Sequence, residues 1–269
     1  MPFTEINGFQ MHYEVQGKGP PLVVAHGLLS SIAMMQLLGE VPPPLSEEFT
    51  VVTFDARAHG ESGCTTDQGD YVWDSLAGDM YQLFRHLGIE SAYLGGSSMG
   101  GGTAIVFALK HPEMVRKLVL LSPPPVGQQQ SAPGASLFGG LALLIESLGL
   151  EEAVDIALRL KPWPQVKESA PPLFDWIRGW LLSQKAEGIV LAIRGIVNGP
   201  ALSHEAFSQI NAPTLLIAHP DDELHPVASA ELLHSLIPNS RLMVAPNPLH
   251  YMLHRDELAE VIRDFLNGE

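Results

Sequence analysis

The run Gly95-Gly96-Ser97-Ser98-Met99-Gly100-Gly101-Gly102 constrains the fold of this 269-residue chain more than any other segment. It follows an apolar stretch rich in strand formers and opens into an apolar stretch of helical character. A glycine near a helix start costs about 1 kcal/mol relative to alanine, so three in succession imply a packing demand. A sharp strand-to-helix turn creates that demand, because a large side chain beside its apex would strike the neighbouring strand or helix. The pattern Gly96-x-Ser98-x-Gly100 then places Ser98 at the apex, pointing out of the sheet. A glycine-rich turn without chemistry is the plainer reading, and the rest of the chain discriminates between the two.

The surrounding sequence alternates between strand and helix signals. Phe3 to Gly17 reads as a hairpin at the sheet edge, folded about Asn7-Gly8, a dipeptide suited to a type I′ turn. Continuous apolar runs follow at Pro21–Ala25, Thr50–Phe54, Ala92–Gly95 and Lys117–Leu121, as expected of parallel strands buried on both faces. Helix-like segments separate them at Ser31–Gly39, Trp73–Leu87 and Gly100–His111. This is the signature of an α/β fold with a mostly parallel central sheet and right-handed crossovers.

After Ser122-Pro123-Pro124-Pro125 the strand signals stop. Helical runs at Leu137–Leu148, Glu151–Leu160, Leu173–Gln184 and Gly188–Val197 predict a helical insertion over residues 126–202, entered through Gln128-Gln129-Gln130-Ser131. Strand signals return at Pro213–Ala218 and Arg241–Ala245, with helices near Val227–Leu236 and Asp256–Leu266. The expected organisation is a core of residues 1–125 and 203–269 carrying a helical cap.

A formal charge of −15, from 15 Lys+Arg against 30 Asp+Glu, disfavours nucleic acid and anionic membranes as partners. With 46% hydrophobic residues the chain can bury a large core. One cysteine, Cys64, excludes an intrachain disulfide and reads as a loop or buried thiol. Neither a leader segment nor a membrane span is evident, so a soluble cytoplasmic protein acting on a small molecule is expected. The sequence calls for no cofactor and no metal, and it leaves oligomeric state open.

A serine hydroxyl is a poor nucleophile until a base takes its proton and a carboxylate orients that base. For an elbow serine the partners follow in the order acid, then histidine. Asp221 and Asp222 stand just past the run ending at Ala218, at the carboxyl edge of the sheet where open α/β folds bind ligands. His250 stands after the next strand, in Pro246-Asn247-Pro248-Leu249-His250, and His254 is its rival as base. Oxyanion donors are expected from the backbone N–H of Met99 and, in the His26-Gly27-Leu28-Leu29 loop, from that of Leu28. His26 reads as a brace for that loop.

Together, His26-Gly27, Phe54-Asp55-Ala56-Arg57-Ala58-His59-Gly60-Glu61-Ser62, the elbow, and Asp222 four residues before Pro226 resemble the α/β-hydrolase superfamily over residues 3 to 124 and 205 to 266. The resemblance implies the catalytic set Ser98, Asp222 and His250, selecting Asp222 over Asp221. It makes Asp55, Arg57 and His59 structural, and it implies a helical cap after the sixth strand. The chain departs from the family pattern at Leu249, Ala58 and His219, where glycine is common, which makes the His250 loop atypical. Leu29, Met34, Phe138, Trp163 and Trp176 are candidate substrate contacts; Met35, Phe174 and Trp180 belong to the same apolar set, which ordinary packing explains as well.

The expected activity is hydrolysis of a carboxylic ester or lactone of a small, largely apolar substrate through an acyl-enzyme. Alternatives are a carbon–carbon bond hydrolase or cofactor-free perhydrolase using the same three residues. A noncatalytic ligand-binding protein on this scaffold is a third reading.

Overall fold

The computed structural model describes residues 2–125, 133–160, 163–247 and 249–268. Strands β1 (Phe3–Ile6) and β2 (Phe9–Gln16) form the expected hairpin, with Asn7 and Gly8 both at positive φ as a type I′ turn requires. The sheet continues through β3 (Pro21–Ala25), β4 (Thr50–Phe54), β5 (Ala92–Ser97), β6 (Val115–Leu121), β7 (Thr214–Ala218) and β8 (Ser240–Val244). The spatial order is β1-β2-β4-β3-β5-β6-β7-β8. β2 lies antiparallel to both neighbours, and every pairing from β4 to β8 is parallel.

Two apolar layers sandwich this sheet. On one face, helix α3 (Trp73–Leu87) buries Trp73, Leu76, Ala77, Met80, Leu83 and Phe84, a stripe at the three- and four-residue spacing of an amphipathic helix. α4 (Met99–Lys110) packs beside it, with Phe107 against Phe84. On the other face, α1 (Ile32–Leu38), the short α2 (Leu45–Glu48) and the C-terminal helix bury Ile32, Met35, Leu45, Leu258 and Ile262 against Val24, Val51, Val119 and Ile217. The continuous apolar runs are buried on both sides in β3 to β7, whereas the edge strand β8 is half exposed, with Val244 at 47%.

Between β6 and β7 the chain forms α5 (Pro133–Leu148), α6 (Leu150–Ala157), α7 (Trp163–Ser169), α8 (Pro171–Leu182) and α9 (Ala186–Asn198). This is the helical insertion; its anticipated entry at Val126 and the Gln128–Ser131 tract lie outside the described residues. Ala142, Ile145, Ile189 and Ile193 form its inner core, against which Leu28 and Leu29 of the body pack. Side chains at Gly188 and Gly195 would collide with Ala58 and Tyr71, so these glycines let α9 lie close on the body. Lys185 Nζ adds a bond to the Ser62 carbonyl at 2.8 Å. The chain then returns through α10 (His204–Phe207), α11 (Val227–Leu236), the single turn α12 (His250–Leu253) and α13 (Arg255–Asn267). Among the described residues, no helix is long and apolar enough to cross a membrane.

Candidate active site

The turn between β5 and α4 has the geometry its glycines imply. A side chain at Gly96 would run into the Gly100 backbone, and one at Gly100 into the Ala25 carbonyl, so strand and helix meet at contact distance only because both positions lack Cβ. Ser98 sits at the apex with φ 50° and ψ −112°. Positive φ at a serine costs about 1–3 kcal/mol and persists only where neighbours enforce it. Here its N–H is held by the carbonyls of Leu121 and Ser122, both at 3.2 Å.

The side chain that meets Ser98 is His225. Its Nε2 stands 2.8 Å from Ser98 Oγ, and its Nδ1 stands 2.9 Å from Asp222 Oδ2. With Nδ1–H donating to the carboxylate, Nε2 is left as the acceptor for the serine hydroxyl. Asp222 lies in the loop after β7, and its Oδ1 accepts the N–H groups of Leu224 and His225 at 2.9 and 3.0 Å. That turn folds the chain back so that His225 reaches the carboxylate only three residues behind it. Burial pushes the Asp222 carboxyl upward, but bonds from the His225 ring and from the two backbone N–H groups hold it below the usual carboxylate range.

His250, the histidine anticipated as base, is placed differently. It opens α12, and its Nε2 bonds Glu257 Oε2 at 3.0 Å, its ring stacked on His254 at 4.5 Å and edge-on to Tyr251. The structure brings His225, rather than His250, to Ser98. The physical reason is local: α12 turns the His250 ring toward α13, where Glu257 offers a charged acceptor. His254 donates from Nδ1 to the His250 carbonyl and stands at the N-cap position of α13 without a side-chain bond to it. His219, just after β7, has a ring edge-on to Tyr251, and burial lowers its pKa against the opposing pull of Asp222. Sequence reasoning missed His225, although the signal Asp-x-x-His in the loop after β7 was present.

The loop after β3 runs beside the nucleophile. A Cβ added at Gly27 would lie 3.5 Å from Ser98 Cβ, so only a methyl-sized space separates this backbone from the serine. Met99 opens α4, where the first N–H groups of a helix have no partner within it. His26 braces the loop as anticipated, donating from Nδ1 to the Gly27 carbonyl at 2.7 Å and accepting the Ala56 N–H at 2.9 Å. His59 does the same one residue layer further out, accepting the Leu29 N–H at 3.2 Å while Nδ1 donates to the Arg57 carbonyl. Both imidazoles must be neutral to accept these bonds. Burial lowers the pKa of each, that of His59 to about 3. Asp55 is occupied by the Ile32 and Glu61 N–H groups and by His12, and Arg57 forms a buried two-point pair with Asp79.

The candidate substrate contacts divide. Leu29 and Phe138 join the apolar cluster between body and cap, where Leu28 also packs, whereas Trp163 packs with Val154, Leu158 and Phe174 inside the cap. Met34 is half-buried on α1, and Met35 is fully buried in the core behind the sheet. Trp176 is 40% exposed and stacks on Trp180. Cys64 is an exposed loop thiol, not a buried one.

Comparison with known proteins agrees with this architecture. A family model described as "alpha/beta hydrolase fold" matches residues 20–146. Over 99% of this chain, the structure superposes on all of an enol-lactonase from Burkholderia xenovorans LB400 with a TM-score of 0.84 and 23% identity. A thermophilic esterase from Thermogutta terrifontis gives a TM-score of 0.80 and 24% identity, covering 99% of this chain and 98% of that one. A putative 2-succinyl-6-hydroxy-2,4-cyclohexadiene-1-carboxylate synthase from Bacillus subtilis is 26% identical, covering 96% of each chain.

Proposed function

We propose that this chain, which belongs to the α/β-hydrolase fold superfamily, is a serine hydrolase of small, largely apolar carboxylic esters or lactones. The observation that carries the reading is the continuous hydrogen-bonded chain Ser98–His225–Asp222 at the carboxyl edge of the sheet. In this reading Ser98 Oγ attacks the carbonyl carbon as its proton passes to His225 Nε2. Asp222, kept ionised by its three hydrogen bonds, stabilises the imidazolium that forms. The negative oxygen of the tetrahedral intermediate is held by the N–H groups of Leu28 and Met99. His225 then gives its proton to the leaving alcohol, or to the ring oxygen of a lactone. A water deprotonated by the same imidazole cleaves the acyl-enzyme and releases the acid.

The apolar cluster over the oxyanion loop, with Leu28, Leu29, Phe138 and Ile145, suits an uncharged acyl group. The net charge of −15 points the same way, since it repels anionic ligands at long range. The solved structures of similar fold include the enol-lactonase and the esterase, whose names fit a reaction of this kind. We place the enzyme in the cytoplasm and assign residues 126–202 to its cap.

One specific observation favours His250 as an alternative base: its ring and that of His219 both stand edge-on to Tyr251, which keeps His250 near the start of the loop that carries Asp222. The enzyme reading itself is tested by a fluorophosphonate probe together with p-nitrophenyl butyrate and a panel of γ- and δ-lactones. Covalent labelling at Ser98 with turnover of at least one ester or lactone is expected. An unlabelled, inactive wild-type protein refutes the reading.

A further inference from the structure

Leu29 follows the proposed oxyanion donor Leu28 and adopts φ 60°, a conformation that a branched side chain rarely holds. It keeps this strained geometry because both of its backbone polar groups are gripped. On the body side, the Leu29 N–H donates to His59 Nε2 at 3.2 Å. On the cap side, the Leu29 carbonyl accepts the indole N–H of Trp180 at 3.2 Å. Trp180 belongs to α8, 151 residues away in sequence, so the second grip exists only while the cap is seated on the body.

We propose that Trp180 is a positioning residue that couples cap seating to the oxyanion hole. Its indole N–H fixes the Leu29 peptide, and through it the orientation of the Leu28 N–H beside Ser98. The bonds at the two ends of Leu29 bracket the strained dihedrals, and the tight turn closed by Ser30 N–H on the Gly27 carbonyl joins them to Gly27, which lies a methyl's width from Ser98. Release of the cap bond lets Leu29 relax toward negative φ, and that rotation turns the preceding peptides away from the position of the developing oxyanion. Trp180 is itself anchored: its ring stacks on Trp176 with planes 13° apart, and its carbonyl accepts bonds from Ser183 and Gln184. The hole is therefore complete only in the closed molecule, so that substrate enclosure and transition-state stabilisation arrive together. This inference rests on the serine-hydrolase reading above.

The test is Trp180→Phe, together with an isosteric replacement of the Trp180 indole by benzothiophene, which keeps ring size and stacking but lacks the N–H. Loss of an entire oxyanion donor costs roughly 100- to 1,000-fold in kcat, and a misaimed donor is expected to cost about tenfold. Both variants should therefore show kcat on p-nitrophenyl butyrate down by about tenfold, with KM within about twofold of wild type. The rate constant for fluorophosphonate inactivation should fall in parallel, and the melting temperature of the isosteric variant should stay within about 2 °C, since one part-exposed hydrogen bond contributes little to global stability. Unchanged kcat and inactivation rate in the isosteric variant overturn the proposal while leaving the hydrolase reading intact. A change confined to KM or to melting temperature also overturns it, because that is what a merely structural tryptophan produces. A wild-type protein that neither labels nor turns over defeats the hydrolase reading, and this inference with it.

Discussion

Replacing Glu40 by glutamine should make this protein more stable at pH 8 and should give no such gain at pH 5. Glu40 follows α1, whose C-terminal Gly39 is in the left-handed conformation, and its carboxyl is buried beside the side chain of Ser97, the last residue of β5. Its Oε2 is out of reach of water and has no hydrogen-bond partner, and its accessible surface lies on other atoms of the residue. Burial pushes the carboxyl up to about 7, against the small opposing pull of Ser97. A folded-state value above the unfolded one means that the folded protein holds the proton more tightly. Its stability is then full below about pH 4.5, falls as pH rises, and levels off above about pH 7. Each pH unit of that interval is worth about 1.4 kcal/mol, so the ionised Glu40 costs roughly 2–3 kcal/mol at pH 8 after allowance for partial solvation. Glutamine carries no such charge, and its orphaned amide is penalised equally at every pH, so it cancels from the comparison. Urea denaturation of wild type and Glu40→Gln at pH 5 and pH 8 measures the difference of differences, expected at about 2–3 kcal/mol in favour of the variant at the higher pH. A stability difference that is the same at both values would refute the assignment of Glu40 as a buried, largely protonated carboxyl.

Other consequences follow from the same structure. In the Glu40→Gln background, where the opposing titration is gone, stability should fall with acidification from about pH 6.5 by roughly 1.4 kcal/mol per unit on account of His59 alone. The sign follows from its depressed value of about 3: the unfolded chain takes up the proton and the folded chain refuses it. Urea midpoints flat between pH 6.5 and 4.5 would contradict this. Gly100→Ala should abolish a cooperative melt or lower stability by more than about 3 kcal/mol, because the added methyl meets the rigid backbone of Ala25 and His26. Gly139→Ala, in α5 where a methyl meets nothing within 4 Å, should instead raise stability by about 0.5–1 kcal/mol in the same thermal assay.

Much of the core could be read from the chain because its signals are local. Asn7-Gly8 specifies a turn whichever residues flank it, and the β-branched runs of β3 and β4, with the continuous apolar run of β6, specify buried parallel strands by composition alone. The elbow was equally legible, since close approach at Gly96 and Gly100 excludes every other residue type. The one-turn elements α2, α10 and α12 escaped because a single turn shows no periodicity, and the two turns of α7 because the prolines of its Pro-Trp-Pro start read as a break. His225 escaped for a different reason. Chain order pointed past β8, whereas the observed contact depends on how Asp222 Oδ1 captures two N–H groups and bends a loop. The grip of Trp180 on Leu29 spans 151 residues and carries no sequence signal at all.

The central claim is that Ser98 is activated by His225, oriented by Asp222. It is tested most directly by steady-state turnover of p-nitrophenyl butyrate in Ser98→Ala, His225→Ala and His250→Ala, each verified as folded by its melt. The account predicts that His225→Ala loses at least about 1,000-fold in kcat, as Ser98→Ala does, while His250→Ala stays within about threefold of wild type. Near wild-type turnover in His225→Ala, with the large loss falling on His250→Ala, would contradict it and return the base to the loop after β8.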